Sequence, residues 1–337
     1  MREDKNMADN PKDQLLKIKK LKTVIKVRNG EIVPVDGIDI DIPFHSTVGI
    51  VGESGCGKSM TAMSIMGLLP KNIRIESGSI NLNGTELTKL SQKEMRNITG
   101  NRISMIFQEP MTSLNPVVTA GKQVREAIIL HRKVSKVEAK QMVIDMFKSV
   151  GIPEPERRYN SYPHELSGGL RQRVMIAMAM VCEPELLIAD EPTTALDVTV
   201  EAQILHLMRK LRDEKNTSIM MITHNLGVVA EICDTVYVMY AGQVVEHTDV
   251  YELFKNPCHP YTEGLLNSIP TVNSGERLKS IPGIVPKLDK IPKGCRFNDR
   301  CKYATERCKK EMPPLYNVGN GHTVRCFRVE EKDKEVV

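Results

Sequence analysis

Gly52-Glu53-Ser54-Gly55-Cys56-Gly57-Lys58-Ser59 follows the pattern GxxxxGK[ST], directly after the apolar, β-rich run Thr47-Val48-Gly49-Ile50-Val51. Glycines at 52, 55 and 57 let the backbone turn tightly, so that successive N–H groups point into one concavity. A helix starting near Lys58 adds the positive end of its dipole. Phosphate oxygens suit such a cradle. Lys58 would reach the β- and γ-phosphates of a nucleotide, and the Ser59 hydroxyl would ligand Mg²⁺. A glycine-rich turn ending in Lys-Ser by accident would not be bracketed by a strand and by the apolar helical run 60–69.

Composition narrows the class. The 337 residues are 41% hydrophobic and 26% charged, enough apolar material for one large core or two modest ones. No run approaches the roughly 20 apolar residues of a membrane span. The best candidate, 174–182, is short and flanked by Arg173 and Glu183. Residues 1–14 are charged, lack the apolar core of a secretory signal, and read as a loose tail on a cytoplasmic chain. A net charge of +5 spread along the sequence argues against a nucleic-acid face, which needs clustered charge.

Two further segments carry chemistry. Leu186-Leu187-Ile188-Ala189-Asp190-Glu191 is an apolar strand ending in two carboxylates. Beside a phosphate loop, Asp190 would hold Mg²⁺ through water and Glu191 would act as general base at the γ-phosphate. Alone, such a pair is an ordinary solvated strand end. Leu166-Ser167-Gly168-Gly169-Leu170-Arg171-Gln172-Arg173 opens a helix and makes a second anion-binding end. Strand candidates at 103–107, 186–189, 219–222 and 235–239, separated by helical stretches at 170–182 and 199–212, imply an α/β core with a largely parallel sheet. Runs 15–27 and 32–42 around Asn29-Gly30 read as a β-hairpin, with Pro34 placing one strand at an edge.

These motifs in this order resemble the ATP-binding cassette ATPases. The resemblance implies a P-loop cassette core with a β-rich N-terminal subdomain, a helical insertion and a Cys-rich C-terminal extension. It assigns Gln108 to the glutamine loop that also meets Mg²⁺, Ala195-Leu196-Asp197 to the dimer-contact loop and His224 to the switch histidine. It also implies that Ser167, Gly168 and Gly169, with Asp197, close over the nucleotide of a second cassette subunit. The chain departs from the family at Leu170, where Gln or Met is usual. It departs again where an N-terminal aromatic commonly stacks on adenine: the matching residue is Ile25, and Arg28 is the nearby alternative reader of the base.

The tail points to one branch. Asn256-Pro257-Cys258-His259-Pro260-Tyr261-Thr262, then Leu265-Leu266 and Ser268-Ile269-Pro270, resembles the extension of the oligopeptide and dipeptide importers, a group that includes nickel importers. The stretch 108–116 is similar to the same group. The implied chain is an ATPase at the cytoplasmic face of the membrane, paired with a second cassette subunit in a heterodimer. Two transmembrane permease subunits and, indirectly, a substrate-binding protein complete the assembly. Import of nickel or another small solute, a soluble cassette ATPase and a redox protein centred on the cysteines are the rival readings. The expected organisation is a tail over 1–14, a cassette over 15–255 with its helical insertion at about 109–166, and an extension over 256–337.

Within that extension Cys295, Cys301, Cys308 and Cys326 are spaced C-x₅-C-x₆-C-x₁₇-C. Four thiolates in so short a stretch suit zinc or an iron–sulfur cluster. The basic residues Lys293, Arg296, Arg300, Lys302, Arg307, Lys309 and Lys310 are expected to offset their charge. Importers that the tail resembles include members with a [4Fe–4S] centre, which favours the cluster over zinc.

Overall fold

The computed structural model describes residues 14–28, 30–108, 113–194, 196–269 and 280–330, and the backbone of 335–336. The tail, Asn29, the segment 109–112, Ala195 and Pro270 lie outside the described residues.

Two sheets form the frame. Strands β1 (Gln14–Val27) and β2 (Gly30–Pro43) make the long antiparallel hairpin read from the sequence, and β4 (Ile73–Leu82) with β5 (Thr85–Glu86) completes a sheet ordered β2-β1-β4-β5. Pro34 lies in β2, at the sheet edge, where its missing N–H costs no ladder bond. The second sheet has at its centre the parallel set β9 (Thr235–Tyr240), β3 (Thr47–Val51), β8 (Ser218–Thr223), β7 (Leu186–Asp190) and β6 (Ile103–Ile106). Every residue of β3, β7 and β8 is buried, which is why these strands read as continuous apolar runs rather than alternating ones. Apolar faces of the hairpin sheet, including Ile18, Leu21, Ile40 and Ile80, share one core with Ile50, Ile188 and Ile222 of the parallel sheet.

Helices Ala120–His131 and Lys136–Ser149 pack with the helix Gly168–Met180 in a separate core around Val124, Phe147 and Val174. At the other edge, β10 (Gln243–Asp249) runs antiparallel to β9 and is continued by β12 (Thr323–Val324) and β11 (Tyr316–Asn317). The chain after residue 255 thus extends the central sheet. Its helix Pro260–Asn267 buries Tyr261 against Tyr240 and Phe297.

Candidate functional site

The loop 52–59 leaves the carboxyl end of β3 and enters the helix Lys58–Met66, the strand–loop–helix order that points backbone N–H groups at an anion. Its glycines are required by space as well as by φ. A Cβ on Gly52 (φ 153°) would lie 2.2 Å from the Met239 carbonyl oxygen, and one on Gly57 (φ 105°) would lie 2.5 Å from that of Pro34. Lys58 is buried, and its Nζ donates to the carbonyls of Gly52 at 2.6 Å and Glu53 at 3.1 Å.

A cavity of ≈ 270 Å³ sits on this loop. Ser54, Gly55, Gly57, Lys58 and Ser59 line it, and so do Gln108 and Glu191 from neighbouring strand ends. Glu191 has φ 48°, an unusual backbone for a non-glycine residue, and its N–H is tied to the Ile222 carbonyl at 2.8 Å. Three side chains converge on its carboxylate. Gln108 Nε2 donates at 3.0 Å, Thr194 Oγ1 donates at 3.0 Å, and His224 Nδ1 lies 3.1 Å away. Burial alone would raise this carboxyl, but the hydrogen bonds from His224 and Thr194 outweigh it and hold the group below its usual range. Asp190 behaves oppositely. Burial pushes its carboxyl up despite the opposing hydrogen bond with Ser59, and its Oδ1 is buried without a protein partner among the described residues.

The second anion-binding end, the signature motif around Ser167-Gly168-Gly169, lies elsewhere. Ser167 caps the helix Gly168–Met180, its Oγ accepting from the Leu170 N–H at 3.4 Å, and Gly168 faces open space. Asp197 caps the helix Val198–Lys215 through Oδ1 and the Val200 N–H, 2.9 Å apart. Ser167, Gly168, Gly169 and Asp197 do not line the loop cavity. A buried link joins the two regions: Gln172 Nε2 donates to the Pro192 carbonyl at 2.5 Å, coupling the signature helix to the segment after Glu191.

Residues from the far end of the chain, to which sequence reasoning gave another role or none, reach the loop and its surroundings. Arg300 makes a two-pronged pair with Glu53, and the Glu53 N–H donates to Tyr261 Oη at 2.8 Å. Arg296 bonds Asp36 and the Ala241 carbonyl. This corrects the expectation that Arg296 and Arg300 chiefly offset the cysteine thiolates: their guanidiniums are committed to the cassette. Leu288 lines the loop cavity together with Ile25 and Pro34.

The four cysteines surround a second cavity of ≈ 370 Å³, lined also by Phe297, Arg307 and Arg328. All four are free thiols. Burial pushes Cys295 up to about 11 and Cys326 up to about 12, with the neighbouring thiols adding in the same direction. Among the described residues, the group of three or more His, Cys, Asp or Glu ligand atoms converging within 4.8 Å is a different one, Glu246, Cys258 and His322. Glu246 is fully buried and already accepts from the N–H groups of Cys258 at 2.7 Å and His259 at 3.0 Å, and lies 2.8 Å from His322 Nε2. That network fastens the extension to β10.

Comparison with known proteins agrees with this geometry. Residues 35–194 match the ABC transporter family model, and residues 245–308 match the oligopeptide/dipeptide transporter C-terminal region. The oligopeptide transport ATP-binding protein AppD of Bacillus subtilis is 51% identical over 323 residues, covering 95% of this chain and 98% of AppD. The chain belongs to the ABC transporter ATPases. OppD of Salmonella typhimurium, also an oligopeptide transport ATP-binding protein, is 47% identical over 331 residues, 98% of each chain. Among solved structures, the dimeric post-hydrolysis ATP-binding cassette MJ0796, bound to ADP and Pi, superposes with a TM-score of 0.63 at 26% identity. The match covers 70% of this chain and 98% of that one. The P-loop cassette fold expected from the sequence is therefore present, with mixed α/β sheets.

Proposed function

We propose that this chain is the ATP-hydrolysing subunit that energises a membrane importer of peptides. The observation that carries the reading is the Glu191 carboxylate, held ionised by Gln108, Thr194 and His224 at the rim of the phosphate-loop cavity, in a chain whose 245–308 match the oligopeptide/dipeptide transporter C-terminal region.

Lys58 would exchange its loop carbonyls for the β- and γ-phosphate oxygens, while the loop N–H groups hold the remaining oxygens. Glu191 would take a proton from the water attacking Pγ as the bond to the β-phosphate oxygen breaks, and Gln108 and His224 would keep that carboxylate and water aligned. Mg²⁺, when bound, would supply positive charge that offsets the phosphates. Ser59, Gln108 and Asp190 fit it as oxygen donors, and the unpartnered Asp190 Oδ1 is a buried acceptor that a metal-bound water would satisfy. Ser167, Gly168, Gly169 and Asp197, away from this cavity, would contact the nucleotide of a second cassette subunit in a heterodimer. The domain limits proposed are 15–255 for the cassette and 256–337 for the extension.

Among the described residues no helix is long and apolar enough to cross a membrane. Its likeness to oligopeptide transport ATP-binding proteins supports permease subunits as partners, with this chain peripheral at the cytoplasmic face and a substrate-binding protein acting through the permeases. Nickel import and a soluble cassette ATPase are not favoured, because the C-terminal match is to oligopeptide and dipeptide transporters.

For the cysteine cavity we favour a [4Fe–4S] cluster on Cys295, Cys301, Cys308 and Cys326. A single tetrahedral zinc, with Zn–S near 2.3 Å, requires sulfurs about 3.8 Å apart; no three of these sulfurs gather within 4.8 Å. The wider spacing and the ≈ 370 Å³ between the cysteines leave room for a larger inorganic core, whose ligation would supply folding free energy to the extension.

The test is purification from detergent-solubilised membranes followed by reconstitution. Permeases and a second cassette subunit should co-purify, and labelled peptides should enter vesicles only with ATP. ATP hydrolysis indifferent to permeases, with nickel rather than peptide entering, would overturn the reading.

A further inference from the structure

The cassette lacks an aromatic residue where the first strand approaches the nucleotide: Ile25 occupies that place, half-buried in β1. The cavity that holds the phosphate loop has an apolar wall made by Ile25, Pro34 and Leu288. The first two come from the N-terminal hairpin. Leu288 comes from the other end of the chain, more than two hundred residues from the loop.

Its position is fixed from several sides. The Lys290 N–H donates to the Lys287 carbonyl at 2.8 Å, closing a turn with Leu288 at its tip. Upstream, the carbonyls of Ile281 and Pro282 accept from Arg300, whose other bonds go to Glu53 of the loop. Downstream, Arg296 bonds Asp36, two residues from Pro34. The turn thus lies on a segment tied to the cassette through Arg300, which holds the chain before it, and through Arg296, which follows it. Within the turn, Leu288 is half-buried while Lys287, Asp289 and Lys290 are exposed.

We propose that Leu288 is a nucleoside-contact residue, so that the base of the bound nucleotide lies against an aliphatic wall of Ile25, Pro34 and Leu288 completed in cis by the C-terminal extension. The proposal rests on the cassette reading of the phosphate loop. Phosphates occupy the N–H groups and Lys58, which leaves the heterocycle for the apolar side of the same cavity. Aliphatic carbons gain dispersion and exclude water from either face of a purine without reading its edge. The wall therefore favours a purine ring of either kind and contributes to affinity rather than to the choice between adenine and guanine.

The test compares ATP, GTP and inorganic tripolyphosphate by competition against a fluorescent ATP analogue, in the full chain and in Leu288→Ala and Leu288→Met. Leu288→Ala should weaken ATP and GTP alike by about tenfold, the loss expected when most of one leucine's contact with a ring is removed. Tripolyphosphate, which has no base, should bind unchanged, and Leu288→Met should stay within about twofold of the parent. Unchanged ATP affinity in Leu288→Ala overturns the proposal, and so does a parallel loss for all three ligands, which would mark Leu288 as a support of the loop. A parent chain that binds no ATP at all would instead overturn the cassette reading.

Discussion

Arg300 grips Glu53 with both arms of its guanidinium, Nη1 donating to Oε2 at 2.6 Å and Nη2 to Oε1 at 3.1 Å, across 247 residues of sequence. The arginine side chain is 4% exposed and the glutamate 30%. The arginine also lies over the rings of Tyr240 and Phe297, 5.8 and 5.9 Å from their centroids. Planar pairing and ring stacking both need a guanidinium, so lysine would not substitute. The extension is therefore anchored on the second residue of the phosphate loop.

Arg300→Ala should leave the Glu53 carboxylate facing Tyr240 and Tyr261 without its cation. Because Glu53 retains some solvent, the expected loss of stability is about 1–3 kcal/mol, below that of a fully buried pair. Denaturant unfolding gives the magnitude, and ATP titration should show weaker binding through a disordered loop. Identical midpoints and affinity would show that the pair neither stabilises the chain nor positions the loop.

Glu191→Gln preserves shape and can still meet Thr194 and His224 while losing the base. Nucleotide binding should persist and hydrolysis should fall by about 10²–10⁴-fold. Steady-state phosphate release beside equilibrium ATP binding separates the two effects. Release near the parental rate would remove Glu191 from the role of base.

The pH response where the extension meets β10 follows from three histidines, His322, His247 and His259, the last lowered to about 4 by burial. Burial opposes the charge on His322, but the hydrogen bonds with Cys258 and Glu246, with the Glu246 charge, outweigh it and raise the imidazole to about 9. Burial beside the Tyr237 ring, reinforced by the His322 charge, lowers His247 to about 4. A raised histidine stabilises fully below its unfolded value near 6.5 and ceases to do so as pH rises through about 9. A depressed histidine stays neutral when folded, so the unfolded chain binds the extra proton and stability falls as pH drops from about 6.5 toward 4. Thermal melts from pH 4 to 10 should pass through a maximum near neutrality. His322→Gln should flatten the alkaline limb and His247→Asn should shallow the acid limb, which His259 shares; limbs that do not respond would assign the titration to other groups.

The phosphate loop and the Asp190–Glu191 strand end were legible because their chemistry is local: a glycine pattern between a strand and a helix, and carboxylates closing a buried strand. Gln108 and His224 were legible only through family order, since a glutamine and a histidine at strand ends carry no signal alone. The Arg300–Glu53 and Arg296–Asp36 pairs were not legible at all. Their partners are 247 and 260 residues apart, and both arginines sit beside cysteines, where a local reading assigns them to thiolate charge. Leu288 was hidden for the same reason, as one leucine in a Pro-rich run whose partners are strand residues at the opposite end of the chain.

The cysteine cavity gives the last prediction. Protein purified anaerobically should contain iron and sulfide in proportion to a [4Fe–4S] core held by Cys295, Cys301, Cys308 and Cys326. Cys295 and Cys326 are pushed up to about 11 and about 12, so at neutral pH both are thiols until a metal displaces their protons. Replacing Cys326 by Ser should therefore abolish metal uptake and lower the unfolding temperature of the extension, because Cys326 is itself part of the small apolar cluster with Tyr316, Val324 and Val329. ATP should still bind, more weakly where loosening of residues 295–301 reaches Glu53 through Arg300. Zinc without iron would replace the cluster but keep its structural role. A metal-free chain that melts at the parental temperature would remove both.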